Sequence, residues 1–184
     1  AQKRWDSIAK PLHSLGKMEK IVMQIAGITG SADVRLDKRA LVAMCADNGV
    51  VEEGVTQTGQ EVTAIVAENF LKGDTSACVM CRQCGTDVFP VDVGMASDTK
   101  VPSDLKVMMG TRNMTKEPAM TYEEAVQGIE AGIEMMRRLK EQGYRLIATG
   151  EMGIGNTTTS SAVAAMLLDR DPAEMTGRGA GLSD

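Results

Sequence analysis

Aromatic side chains are scarce in this 184-residue chain: Trp5, Phe70, Phe89, Tyr122 and Tyr144 make up 3% of it. A surface that stacks nucleic-acid bases needs more of them. Basic blocks are also missing. Twenty Lys and Arg against 25 Asp and Glu leave a net charge of −5, without the positive footprint that grips a phosphate backbone, so no nucleic-acid partner is expected. No apolar run approaches the length of a membrane helix, and the N-terminal AQKRWDSIAKPL has no apolar secretion segment. The expectation is a cytoplasmic protein without membrane contact. Four cysteines and no signal do not suit a secreted disulfide scaffold.

Three of those cysteines, Cys78, Cys81 and Cys84, form CVMCRQC. The spacing admits two readings: an iron–sulfur ligand run, or small thiols on one face of a packed helix. No fourth ligand lies nearby and His13 is the sole histidine, so no metal is expected. What the chain has in quantity is aliphatic: 43% of it is hydrophobic, with 14 methionines, which fill irregular core gaps and can line adaptable pockets.

Residues 6–28 read as helical after Pro11, with Leu15, Met18, Ile21, Val22, Ile25 and Ile28 marking one apolar face. RALVAMCA (39–46) reads as a buried strand ending in the polar, glycine-rich DNGVVEEGVTQTGQ. EVTAIVAENFLK is the next helix, closed by Gly73, and a further helix covers about 75–84. TDVFPVDVGM reads as a strand and 96–120 as irregular. TYEEAVQGIEAGIEMMRRLKEQG is a long amphipathic helix with Thr121 as N-cap, Glu124 completing a capping box and Gly143 as the stop. YRLIAT is the third strand, TTTSSAVAAMLLD the helix after it, and 170–184 reads as loop. Strands alternating with helices predict an α/β fold with a parallel sheet and flanking helices. The chain stops after a glycine-rich loop, where a further element is expected. A sheet lacking later strands leaves an open edge, so the isolated segment is expected to self-associate.

Chemistry concentrates in GEMGIGNTT (150–158), between the third strand and its helix. It is neither a Walker A loop nor G-x-G-x-x-G. Gly150, Gly153 and Gly155 allow close backbone approach. Met152, Ile154, Asn156, Thr157 and Thr158 place N–H groups and side-chain donors at a helix start, which suits a phosphate or carboxylate; an ordinary strand–helix turn is the alternative. Glu151 can take a proton or hold a ribose hydroxyl or ring nitrogen, or it can be a solvated loop acid. The segment after the first strand occupies the same edge of the sheet. There Asp47 and Asn48 can fix the loop, Thr56 offers a polar contact, and Gln60 offers another or caps the next helix. Arg112 is either an anion contact or a surface ion pair.

Six stretches together resemble the nicotinate-nucleotide–dimethylbenzimidazole phosphoribosyltransferase family of cobalamin biosynthesis: KPLHSLGKME (10–19), ADNGVVEEGVTQTGQEVTA (46–64), VDVGM (91–95), GTRNMTKEPAMT (110–121), GEMGIGNTT (150–158) and TGRGAGL (176–182). The resemblance implies a Rossmann-like large domain, here 31–184 and incomplete, with residues 1–30 a helical segment of a smaller domain. It further implies a homodimer that uses no cofactor. The implied reaction moves the phosphoribosyl group of nicotinate mononucleotide to 5,6-dimethylbenzimidazole, giving α-ribazole 5′-phosphate and nicotinate. Glu151 and Gly153 would lie at the substrates, Thr56 to Gln60 beside the benzimidazole, and Met152 against its ring. The chain departs from the family in Asn48, where many members carry histidine, and in TQTGQ, which leaves the acceptor base open. The principal catalytic glutamate and further phosphate ligands belong to a C-terminal half with no counterpart here, expected on a continuation or a second polypeptide. Without that half, a nucleotide-binding or assembly role is the alternative.

Overall fold

The computed structural model describes residues 1–179, and the chain divides into two compact units, Ala1–Asp37 and Lys38–Asp184. In the first, α1 is Gln2–Asp6 and α2 is Lys17–Thr29. The helix read after Pro11 therefore begins later, at Lys17: residues 7–16 are turns, with left-handed φ at His13 (58°) and Gly16 (55°). Glu19 organises these turns. It is buried (3% exposed), and its Oε1 accepts hydrogen bonds from Lys10 Nζ (2.7 Å) and the Leu15 N–H (3.2 Å). Lys10 chiefly holds its pKa below the usual carboxylate range. The apolar face of α2 is largely bare: Leu15, Met18, Ile21 and Ile28 are exposed, Val22 and Ile25 half-buried, and Ala26 buried. A two-helix unit has too little surface to cover it.

The second unit is a parallel three-stranded sheet in the order β2-β1-β3, with β1 at Arg39–Ala46, β2 at Thr86–Gly94 and β3 at Leu146–Met152. Both neighbours pair with β1 from its first residue, Arg39 opposite Thr86 and Leu146. Between β1 and β2 lie a 3₁₀ turn (Gly49–Glu53), α3 (Glu61–Lys72) and α4 (Ser76–Gln83). Between β2 and β3 lie the irregular 95–121 stretch and α5 (Tyr122–Glu141). After β3 come α6 (Asn156–Leu168) and α7 (Pro172–Met175). The one-turn α7 replaces only part of the loop read over 170–184, of which 180–184 lie outside the described residues, because Pro172 presets helical φ and Asp171 caps the Ala173 N–H.

Strand alternation divides the core in two. Ala40, Val42 and Met44 face Met135, Met136 and Leu139 of α5, whereas Cys45 faces Ala67 of α3 with Met95 and Val101. Pro90 sits within β2, which is tolerated because β2 is an edge strand. Cys78 and Cys81 are buried on α4, Cys84 is exposed, and among the described residues no group of three or more His, Cys, Asp or Glu is placed to hold a metal ion. Likewise, no helix of the described residues is long and apolar enough to cross a membrane.

Two carboxylates anchor the irregular stretch. Buried Asp92 accepts the Gly94 and Met95 N–H groups (3.0 and 2.8 Å) and pairs with Lys106 (3.0 Å). Glu124 completes the capping box with Thr121, as the sequence predicts, and also takes both terminal nitrogens of Arg112. Arg112 chiefly lowers the pKa of Glu124. That pair supports the fold only while the carboxylate is charged, so its contribution is complete above the ordinary value of 4.5 and is lost as pH falls through the lower folded-state value. Arg112→Gln should therefore unfold at lower urea concentration than wild type at pH 7, with the difference shrinking below pH 4.5. Gly49 is a second test. A Cβ there would lie 2.4–2.7 Å from backbone atoms of Thr111, Arg112 and Asn113. Gly49→Ala should cost about 1–3 kcal/mol by forcing two backbone segments apart, measured by the same denaturation.

Candidate active site

The chain order reverses direction at β1. The first crossover moves from β1 to β2, and the second returns past β1 to β3. Open α/β sheets bind ligands beyond the strand carboxyl ends at such a reversal. Because Cys45 lies opposite Met152, β1 and β3 end side by side. The loop after β1 and the turn before α6 are thereby brought face to face.

They are bolted together through Asn48. Its Nδ2 donates to the Ile154 carbonyl (3.1 Å), and its Oδ1 accepts from Thr159 Oγ1 (2.8 Å) in the first turns of α6. Gln60 Nε2 in turn donates to the Asn48 carbonyl (3.0 Å). Gln60 thus neither caps α3 with its side chain nor sits free for a ligand. Thr63 Oγ1 on α3 accepts the Ile154 N–H at 3.0 Å. Close approach explains two glycines. A Cβ on Gly153 would meet the Ala46 carbonyl at 2.3 Å and Glu151 Oε1 at 2.7 Å, and Gly155 has φ 84° with Val51 2.8 Å away. The packing partner is the protein's own β1 loop. Gly150 lies inside β3, opposite Ala43.

What remains is a cleft of about 300 Å³, lined on one side by Val55, Thr56, Gln57 and Thr58 and on the other by residues 153–157. The structure therefore joins Thr56 with Gly153, Ile154, Gly155, Asn156 and Thr157, which sequence alone could only place on one edge. Thr158 follows in the first turn of α6. No side chain caps this helix, and among the described residues the N–H groups of Thr157 and Thr158 have no partner within the chain. Such groups suit an anion.

Glu151 is the penultimate residue of β3, opposite Met44, and not a loop residue as the sequence reading had it. Its Oε2 accepts a hydrogen bond from Asn156 Nδ2, so the carboxylate adjoins the cleft through a lining residue. The side chain reaches solvent on one side and is crowded by protein on the other. Partial loss of hydration raises its pKa above the usual carboxylate range, and the Asn156 hydrogen bond offsets part of the rise.

Three of the candidate residues are engaged within the protein. Met152 packs against the Cys45, Ala67, Met95 and Val101 core. Arg112 is committed to Glu124 and the Pro118 carbonyl (3.1 Å). Asp47 is buried, receiving the Ala96 N–H on Oδ2 (2.7 Å), while its backbone bonds Gly94 and Thr111; it fixes loops around the cleft. Thr63 and Thr159 escaped sequence reasoning, because a threonine inside a helical run carries no signal of a partner 91 or 111 residues away.

Comparisons with known proteins identify the family of the chain. The family model DBI_PRT, described as phosphoribosyltransferase, matches residues 1–184. The nicotinate-nucleotide–dimethylbenzimidazole phosphoribosyltransferase of Ruminiclostridium cellulolyticum is 52% identical over 185 residues, covering 100% of this chain and 53% of the relative. That of Acetivibrio thermocellus is 49% identical with the same coverage. The crystal structure of CobT from Thermus thermophilus superposes with a TM-score of 0.93 at 38% identity, over 100% of this chain and 56% of that one. The chain spans about half the length of the curated relatives it matches. By sequence along its whole length, and by fold, it belongs to the nicotinate-nucleotide–dimethylbenzimidazole phosphoribosyltransferase family.

Proposed function

We propose that the chain forms part of an enzyme that transfers the phosphoribosyl group of nicotinate mononucleotide to 5,6-dimethylbenzimidazole or a related base. The products are α-ribazole 5′-phosphate, for the lower ligand of cobalamin, and nicotinate. One observation carries the reading: the cleft between residues 55–58 and the 153–157 turn, with Glu151 at its side. Gly150, Met152 and Asp47 shape this site from behind, and Arg112 steadies the neighbouring segment. The uncapped start of α6 binds the nucleotide's anionic portion through the Thr157 and Thr158 N–H groups.

As one ring nitrogen of the acceptor bonds to C1′ of the ribose, the bond from C1′ to the nicotinate nitrogen breaks. The N–H on the acceptor's other nitrogen must then lose its proton. Glu151 is placed to receive that proton, or to stabilise the positive charge that develops at C1′. Its raised pKa makes it a better base than a free carboxylate.

The remaining catalytic groups lie on the half of the family's length that this chain does not span. In support, Leu146 on β3 and Val163, Met166, Leu167 and Leu168 on α6 are exposed, an apolar surface suited to a continuation or companion polypeptide. The assembled enzyme is cytoplasmic and homodimeric. The same exposure favours a second reading, in which this segment by itself binds nucleotide without turnover.

Nicotinate release from nicotinate mononucleotide, with and without 5,6-dimethylbenzimidazole, separates the two. Release by the chain joined to its remaining half, and not by the chain alone, is the expected result; acceptor-independent release in both would sink the transferase. In the joined enzyme Glu151→Gln should lower kcat roughly 10²-fold or more. The wild-type rate should fall with acid through a pH above 4.5, a limb the variant lacks. Raised burial cost penalises the charged folded state, so the neutral variant should be at least as stable at pH 7. Wild-type turnover in Glu151→Gln would remove its assigned role.

A further inference from the structure

Ile154 lies at the centre of the anion-binding turn, and both polar groups of its peptide backbone are already used inside the protein. Its N–H donates to Thr63 Oγ1 (3.0 Å) and its carbonyl accepts from Asn48 Nδ2 (3.1 Å). Thr63 is fully buried (0% exposed) on the sheet-facing side of α3, and Asn48 is 8% exposed. Valine would fill the Thr63 site with the same shape. A hydroxyl placed here matters for the one partner that reaches it among the described residues, 91 positions away. Gly153 and Gly155 on either side have the backbone freedom to rotate the two peptide units that flank Ile154, so their own geometry does not fix the orientation of either. Backbone pinning does that work instead, from α3 on one side and from the β1 loop on the other.

We propose that Thr63 is a positioning residue for substrate binding. Its hydroxyl, opposed by Asn48, locks the Ile154 peptide so that the 153–157 turn presents one fixed surface to the phosphoribosyl substrate. Neither side chain lines the cleft. Both act through a peptide that does. This inference rests on the reading of the cleft as the nucleotide site, and its consequence is specific. Removing the hydroxyl acceptor while keeping its volume takes away the partner of the Ile154 N–H. The turn then relaxes away from the geometry the substrate needs, and displacements of about 1 Å suffice to cost up to 10²-fold at such sites.

The test compares wild type, Thr63→Val and Thr63→Ser in the chain as it exists, by calorimetric titration with nicotinate mononucleotide and by amide hydrogen exchange of the 153–157 peptide. Thr63→Val should bind about tenfold more weakly or worse and exchange faster across the turn. Thr63→Ser, which restores the acceptor, should recover both, a rescue that a volume or stability effect would not give. Should Thr63→Val fail to fold by circular dichroism, Asn48→Ala, on a loop, removes the opposing bond and should move affinity and exchange the same way. Unchanged exchange in the folded variant overturns the lock, whatever binds. Unchanged affinity, or a serine variant as weak as valine, overturns the positioning role. Failure of wild type to bind nicotinate mononucleotide while exchange still responds would instead strike the assignment of the cleft and leave the lock standing.

Discussion

The parallel pairing of β1 with strands on both sides is the constraint from which the site follows. A central strand bonded from Arg39 onward to both β2 and β3 has no freedom to slip, because a one-residue shift would send Cys45 and Ala43 toward α5 and expose Val42 and Met44. Register then dictates that the chain leaves β1 and β3 at the same height. Two loops more than 100 residues apart in sequence consequently meet, and Asn48 and Ile154 are within hydrogen-bond reach with no long-range device beyond the sheet.

Polar groups in this unit serve mainly to hold irregular backbone where the sheet has run out. Asp47, Asp92 and Glu124 each take N–H groups or a basic side chain from the 95–121 stretch. At the glycine turn Thr63 accepts the Ile154 N–H and Asn48 donates to the Ile154 carbonyl, while Gln60 donates to the Asn48 carbonyl. Buried loops demand such satisfaction. The result is a cleft whose walls are hydrogen-bonded on the protein side, and in the proposed enzyme the α6 N-terminus and Glu151 are the groups that meet the ligand. Glycine serves the same end from the opposite direction: Gly49, Gly153 and Gly155 stand where any Cβ would collide with a neighbouring loop.

A surplus of apolar surface coexists with this tight interior. The second half of α6 leaves Val163, Met166, Leu167 and Leu168 in solvent, and α2 with the turn before it leaves Leu15, Met18, Ile21 and Ile28 there. Residues of this kind at helical spacing normally find cover, and the matching relatives are nearly twice as long as this chain. The proposed enzyme therefore draws on two resources, a preformed cleft within this segment and apolar faces by which further polypeptide would complete it.

By itself the sequence determined whatever depends on neighbours a few residues apart. The β1 strand, the Gly73 stop of α3, the Thr121–Glu124 capping box and the α/β alternation were all legible, because propensity, capping and hydrophobic period are local. GEMGIGNTT also marked the family. Only the tertiary structure decided how each residue is used. Pairing with β1 extended β3 through Glu151; the core claimed Met152; Glu124 claimed Arg112; and Gln60 turned to a backbone carbonyl. The bare face of α2 was likewise invisible, since periodicity reports which side of a helix is apolar and not what covers it. Side-chain partners separated by up to 111 residues are fixed by where the sheet brings the chain back, and one-dimensional spacing does not encode that distance.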